Sequence, residues 1–393
     1  MLPNKKKVCV LQKISSPEMI SEFNKHLILD ALRFKGPMSR ADLSRYLNIS
    51  FPAVSSNARG LLDAGYIMEV GTGDNLIGRK STLLAFNANR GYIIGVDEGR
   101  FRIRMMLTDL LGNELARIEI MNPIRNSDKG TETIRLLEAQ LHVLLKQADK
   151  QANDILCIVI GVPGVFKDGE IYLAPFTEKY TEQDLRDTLK RSFKADVILQ
   201  NCVNLGVIGE QWKGKGTNFQ NIAYISYGVG LGSAHIVDGK LFSGPNGAVG
   251  EIGFMVTDRT TIRDQFDEVG PLEEALSRNK IDKYLQGGNF DEEIVKLIQN
   301  YQIGELYAKA IVDEIALNFG IALVNMCALL NPEVVIISGG LGVNLGKLFL
   351  DQWKAFLQNH IPFAPEVRIS ELNHTETMLG AVMTGIDHIH AMK

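Results

Sequence analysis

The stretch Ser39–Gly65, SRADLSRYLNISFPAVSSNARGLLDAG, decides how the first part of the chain folds. Arg40–Leu47 fits a short helix, because Leu43 and Leu47 stand one turn apart and Ser39 can cap the free amides. Asn48-Ile49-Ser50 has the length of a tight turn. Pro52 then falls in the first turn of a third segment, where a missing N–H is tolerated. With Val54 as origin and about 100° per residue, Ala58, Leu61 and Leu62 share one side, which predicts an inward face for a helix over Phe51–Ala64. The other side carries Pro52, Ala53, Ser56, Arg59 and Gly60, with Ser55 at its edge. It is small and polar, with one arginine and no acid. Small residues let a helix sink into a major groove, hydroxyls donate to phosphates or bases, and arginine forks onto guanine. Ser50, Phe51, Pro52, Ala53, Ser55, Ser56 and Arg59 are therefore the candidate DNA contacts.

Upstream, Ser21–Lys35 places Phe23, Leu27, Ile28, Ala31 and Leu32 at helical spacing, and Gly36-Pro37 ends the run. Downstream, Met68–Val70 and Ser81–Phe86 read as two strands around a Gly/Asn-rich turn, a wing. Gly78-Arg79-Lys80 is basic and adds Arg79 and Lys80 as candidate contacts to phosphates or the minor groove. Residues 1–90 hold 13 Lys/Arg against 7 Asp/Glu, while the whole chain is at −4, so the rest is acidic. A basic head on an acidic body directs the head alone to a polyanion. A protein-binding three-helix domain shares the helix spacing. The turn, the proline, the acid-free face and the wing together favour a winged helix-turn-helix on double-stranded DNA.

A chain of 393 residues points to two or three domains, and 45% hydrophobic with 22% charged residues is ordinary globular composition. No unbroken apolar run approaches the ~20 residues of a membrane span, and no cleavage pattern follows Lys5-Lys6-Lys7, so no membrane or secretory role is expected. The four cysteines have no CxxC spacing, which argues against a disulfide framework or a structural zinc and for a reducing cytoplasm.

From Gly91 the texture changes to short β-rich runs between glycines. Tyr92–Asp97, Arg102–Leu107 and Glu114–Ile120 read as an antiparallel meander, followed by an amphipathic helix over Thr131–Asp149 and a buried strand over Ile155–Ile160. A second round runs through Ile222–Tyr227, Ala234–Asp238, a long helix over Glu305–Leu330 and the apolar strand Val334–Ser338. Two α/β lobes that each open with strand-turn-strand predict a duplicated fold with a cleft between the halves.

Glycine motifs then stand in order: Gly161-Val162-Pro163-Gly164, Asn201-Cys202-Val203-Asn204 running to Gly209-Glu210, and Tyr227-Gly228-Val229-Gly230-Leu231-Gly232. Gly247-Ala248-Val249-Gly250-Glu251-Ile252-Gly253 and Ser338-Gly339-Gly340-Leu341-Gly342 complete the set. The ordered set resembles the ROK family, bacterial repressors and sugar kinases on an actin-like, ribonuclease-H-like fold. The head and the Gly78-Arg79-Lys80 linker resemble its xylose-type and N-acetylglucosamine-type repressor branch. On this resemblance the chain divides into an extension (1–20), a winged helix-turn-helix (21–88), a first actin-like lobe (89–205) to which a terminal helix (376–393) returns, and a second lobe (206–375).

The resemblance also implies what is missing. The family's kinases carry a catalytic Asp where this chain has Cys202, and a thiol is a poor base at neutral pH. Their small phosphate-loop residues are replaced by Arg100-Phe101 after Asp97-Glu98-Gly99. Phe254 stands at the family's zinc-binding His, and Thr261–Pro271 contains no cysteine. The expectation is no catalytic residue, no metal and no cofactor. Asn201, Glu251 and Glu273 match the family's sugar contacts, and amide and carboxylate groups pair with adjacent hydroxyls. The implied protein is a repressor, a homodimer or tetramer on a palindromic operator, with a sugar effector. The rival reading is an ATP-dependent sugar kinase with a regulatory DNA-binding head.

Overall fold

The computed structural model describes residues 16–72, 81–122, 130–167, 170–173, 180–228, 230–276 and 290–391. The chain divides into two compact units: Met1–Tyr92 with Asp109–Asn113, and Ile93–Thr108 with Glu114–Lys393.

The first unit contains three helices, α1 (Pro17–Lys35), α2 (Arg40–Leu47) and α3 (Phe51–Asp63), and three short strands, β1 (Met38–Ser39), β2 (Ile67–Thr72) and β3 (Thr82–Phe86). Helix α1 starts four residues before the predicted Ser21. Ser16 caps it by accepting from Met19 N–H, and the first-turn proline suits a position that needs no donor. At α2, Ser39 and Asp42 form a reciprocal capping box, and Asn48 at φ 56° ends the helix in the left-handed conformation that asparagine tolerates. Ser44 Oγ then donates to Ile49 C=O at 2.6 Å and closes the turn into α3. Ile28, Leu32, Leu43, Val54, Ala58, Leu61 and Leu84 make the buried centre, while Leu62 is half-buried. The strands pair in the order β1-β3-β2, antiparallel, the sheet of a winged helix.

The second unit holds two five-stranded sheets. The first combines β4 (Tyr92–Glu98), β5 (Arg102–Asp109), β6 (Glu114–Met121), β7 (Ile155–Val162) and, after β8 (Val165–Lys167) and β9 (Glu170–Tyr172), β10 (Asp196–Asn201). The second combines β11 (Ile222–Tyr227), β12 (Leu231–Val237), β13 (Lys240–Leu241), β14 (Val334–Ser338) and β15 (Glu366–Ile369). Their spatial orders are β6-β5-β4-β7-β10 and β13-β12-β11-β14-β15, the same arrangement twice. This is the duplicated, actin-like α/β architecture. Strand β7 runs on through Gly161 to Val162, and β12 starts at Leu231, earlier than Ala234, because Gly232 pairs with Ser226 inside the ladder.

Helices α4 (Gly130–Gln147) and α5 (Glu182–Phe193) belong to the first lobe. Helices α7 (Pro271–Leu276), α8 (Phe290–Gln302), α9 (Leu306–Leu330) and α10 (Gly340–His360) cover one face of the second sheet. There Ala223, Ile225, Val335 and Ile337 pack with Phe319 and Trp353, whereas the alternate residues Ile222, Tyr224, Val334 and Ile336 face Val207 of α6 (Cys202–Lys213). Helix α9 is, among the described residues, the one long and apolar enough on average to cross a membrane, although Lys309, Asp313 and Glu314 interrupt its apolar run. Its Ile311, Ile315, Phe319 and Leu323 are buried in the second lobe's core.

Helix α6 and the last helix, α11 (Glu376–Ala391), pack on each other, and both also pack on β7 of the first sheet. A division at residue 205/206 therefore cuts through α6. A Cβ at Gly209 would lie 2.1 Å from Glu376 C=O, and one at Gly380 would lie 1.8 Å from Leu205 C=O. Backbone touches backbone at this crossing, which only glycine permits. Glu210, fully buried, accepts from Lys215 N–H at 2.8 Å and from the Ser370 hydroxyl.

Candidate functional site

In the first unit, α3 turns Val54, Ala58 and Leu61 inward. Ser50, Phe51, Pro52, Ser56 and Arg59 are exposed, and Ala53 and Ser55 are half-buried. The candidate contacts on α3 thus share one accessible side with no acidic residue in the first turn. Arg79 and Lys80 lie outside the described residues. Sequence reasoning passed over Asn57. It is buried on the inward side, where its Nδ2 donates to Ala53 C=O at 2.8 Å and its Oδ1 accepts from Ser21 Oγ at 2.7 Å. Asn57 ties α3 to α1, and its position beside Val54 and Ala58 on the helical wheel was the available signal.

In the second unit a cavity of about 350 Å³ opens between the two sheets. Asn201, Cys202, Glu251, Phe254 and Glu273 all line it, so residues far apart in sequence meet. Asn201 is the N-cap of α6: its Oδ1 accepts from Val203 and Asn204 N–H at 2.8 and 3.1 Å, and its Nδ2 donates to Gly164 C=O at 2.8 Å. Most of its amide capacity is spent in holding the Gly161–Gly164 segment against the helix. It is first a positioning residue of the cavity wall.

Glu251 is placed by its predecessor. Gly250 has φ +97°, and a Cβ there would lie 1.9 Å from Ser233 C=O. Its own carbonyl accepts from Ser233 N–H at 2.8 Å and from Ser233 Oγ at 3.0 Å, so the loop is clamped on β12. His235, also buried, holds Ser233 Oγ from the other side at 3.1 Å, and burial pushes its pKa down to about 4. Burial, reinforced by the charge of Glu273, raises Glu251 to about 7, and burial raises Glu273 too. A carboxyl group that holds its proton up to about pH 7, as Glu251 does, can donate as well as accept towards hydroxyls.

Cys202 opens α6, a place that ordinarily favours a thiolate. Burial prevails, followed by the negative charge of Asp97, and the thiol is pushed up to about 12. At neutral pH it is a protonated thiol. Asp97, also on the cavity wall, is raised to about 6 by burial, opposed by Arg104 at 3.2 Å. The Gly99–Phe101 segment shows the outcome of the changed phosphate loop. Gly99 N–H donates to Arg102 C=O at 3.0 Å in a tight turn, and Phe101 packs against the apolar core of the second lobe. Arg100 and Phe101 line the cavity where small residues would leave room for a phosphate. Phe254 stacks on Phe266 with ring centroids 5.8 Å apart and planes 9° off parallel. An aromatic pair without donors does not fit a zinc ion, and among the described residues no group of three His, Cys, Asp or Glu could hold a metal.

The ROK family model matches residues 93–387. A xylose repressor from Caldicellulosiruptor bescii is 30% identical over 389 residues, covering 93% of this chain and 95% of its own length. A glucokinase from Halalkalibacterium halodurans is 27% identical over 310 residues, covering 74% of this chain and 93% of its own. The crystal structure of a ROK family transcriptional regulator, homologous to the MLC protein of E. coli, superposes with a TM-score of 0.74 at 20% identity and covers 95% of this chain and 98% of that one. The repressor match runs through head and body alike, and the kinase match covers a smaller share of the chain. The winged unit, the duplicated sheets and the glycine-clamped cavity stand on a chain that belongs to the ROK family.

Proposed function

We propose that this protein is a cytoplasmic, sugar-responsive transcriptional repressor whose kinase-like body has lost phosphoryl transfer. The similarity to named repressors across both units supports the regulatory reading, and Cys202 carries the loss of catalysis. Transfer to a sugar hydroxyl needs a group that accepts a proton near neutral pH. A thiol held at about 12 by burial is protonated at neutral pH and does not accept one at the position of the kinases' catalytic Asp. Asn201, Glu251 and Glu273 are the proposed effector contacts, with D-xylose the first sugar to test because relatives bear its name.

On the DNA side, Ser50, Phe51, Pro52, Ala53, Ser55, Ser56 and Arg59 are proposed to meet the major groove, and Arg79 and Lys80 the backbone or minor groove. A homodimer or tetramer would place two such helices on the halves of a palindromic operator. Linkage then requires that a sugar preferring one state weaken or strengthen DNA binding reciprocally. The test is operator retention with and without D-xylose and other free sugars. A shift in midpoint supports the reading, and retention indifferent to every sugar removes the effector part. The glucokinase relative keeps a kinase reading in view. ATP-dependent turnover of a hexose or pentose, abolished by Cys202→Ala, would establish it.

A further inference from the structure

Two of the three arginines that line the cavity are ion-paired within the protein. Arg104 pairs with Asp97 at 3.2 Å and with Glu119 at 2.9 Å, and Arg102 pairs with the same Glu119. Glu98 in turn accepts the Tyr180 hydroxyl at 2.6 Å. A further acid on the cavity wall is Glu376, in the first turn of α11. It is 7% exposed and lines the cavity. Its Oε1 accepts from Ser338 Oγ at 2.7 Å, while Oε2 is buried with no hydrogen-bond partner among the described residues.

The place of this carboxylate is informative. Ser338 ends β14, and Gly339 and Gly340, which also line the cavity, open α10 without any side-chain cap. The free amides and dipole of such a helix end attract phosphate. The bond to Ser338 fastens the Glu376 carboxylate beside that end, so the protein supplies its own anion there. The negative charge of Glu376 also adds to the burial that raises Asp97 to about 6. A second anion arriving in this half of the cavity would meet a fixed carboxylate in a poorly solvated space.

We propose that Glu376 is a specificity determinant that excludes phosphate-bearing ligands, so that the cavity admits a free sugar and rejects sugar phosphates and nucleotides. The ligand class rests on the cavity being the effector pocket; the exclusion does not.

The test is calorimetric titration of the full-length protein, at constant ionic strength, with D-xylose, D-glucose, D-glucose 6-phosphate and inorganic phosphate. Wild type is expected to bind a free sugar and to show no heat with either phosphate. Glu376→Gln is expected to gain at least tenfold in affinity for glucose 6-phosphate or phosphate. Should that variant melt early, Ser338→Ala, which unfastens the carboxylate, is expected to show a smaller gain of the same sign. Wild type binding glucose 6-phosphate as tightly as free sugar would overturn the proposal, as would no phosphate gain in both variants. A gain in Glu376→Gln with no sugar bound by any form would uphold the exclusion and sink the effector reading.

Discussion

Glu251 holds its proton to about pH 7 because burial and the neighbouring Glu273 both disfavour its charge. An acid raised on folding binds more protons in the native than in the unfolded state, so it contributes stability below about pH 4.5 that is lost as pH rises through 7. Glu251→Gln is therefore expected to leave the melting temperature unchanged at pH 5 and to raise it by about 2–4 °C at pH 8, read by thermal melts across pH. Equal shifts at both pH values would remove Glu251 as the source. In the head, two neighbours on α3 separate structure from contact. Asn57→Ala leaves the Ser21 hydroxyl without its acceptor and should destabilise the head by about 1–2 kcal/mol, measured by denaturant unfolding. Arg59, exposed, should cost less than about 0.5 kcal/mol on mutation to Ala. That variant should nevertheless lose operator affinity, with the salt dependence shallower by about one if Arg59 meets a phosphate.

At the level of elements, the crossing of α6 and α11 bears most directly on the cavity, because Asn201 and Cys202 begin one helix and Glu376 begins the other. Gly209→Ala would drive a methyl into Glu376 C=O. It is expected to cost about 2–4 kcal/mol, read from the denaturation midpoint, and to weaken sugar binding with it. How legible each element was follows from the range of the forces that fix it. Helices α2 and α3 were readable because their caps and apolar stripe are local: Ser39, Asn48 and Val54-Ala58-Leu61 state the answer within a few residues. The start of α1 was missed where a cap and a proline, Ser16 and Pro17, precede the apolar stripe. Gly232 looks like a turn residue in sequence and shortens the predicted strand β12, and only the ladder to β11 shows otherwise. Glu376 was not legible at all. In sequence it is an ordinary acid in a first helical turn, and its meaning comes from Ser338, 38 residues away.

For the whole molecule, two compact units make separate thermodynamic responses measurable in one chain. A ligand held at 100 times its dissociation constant stabilises what it binds by about 2.7 kcal/mol. Free sugar is expected to slow hydrogen exchange around Gly161–Gly164, Glu251 and the start of α11 more than in α3, and operator DNA to do the reverse. Uniform protection by either ligand would contradict the assignment of the two sites. The consequence of greatest reach concerns β5. Arg102 and Arg104 near its start line the cavity, and the turn Asp109–Asn113 at its end clusters with the winged unit, where Leu110 N–H donates to Ala88 C=O at 3.1 Å. Strand β5 is thus a covalent member of both compact units: eight residues, a rod of ~27 Å, with side chains on the cavity wall at its start and residues counted with the winged unit at its end.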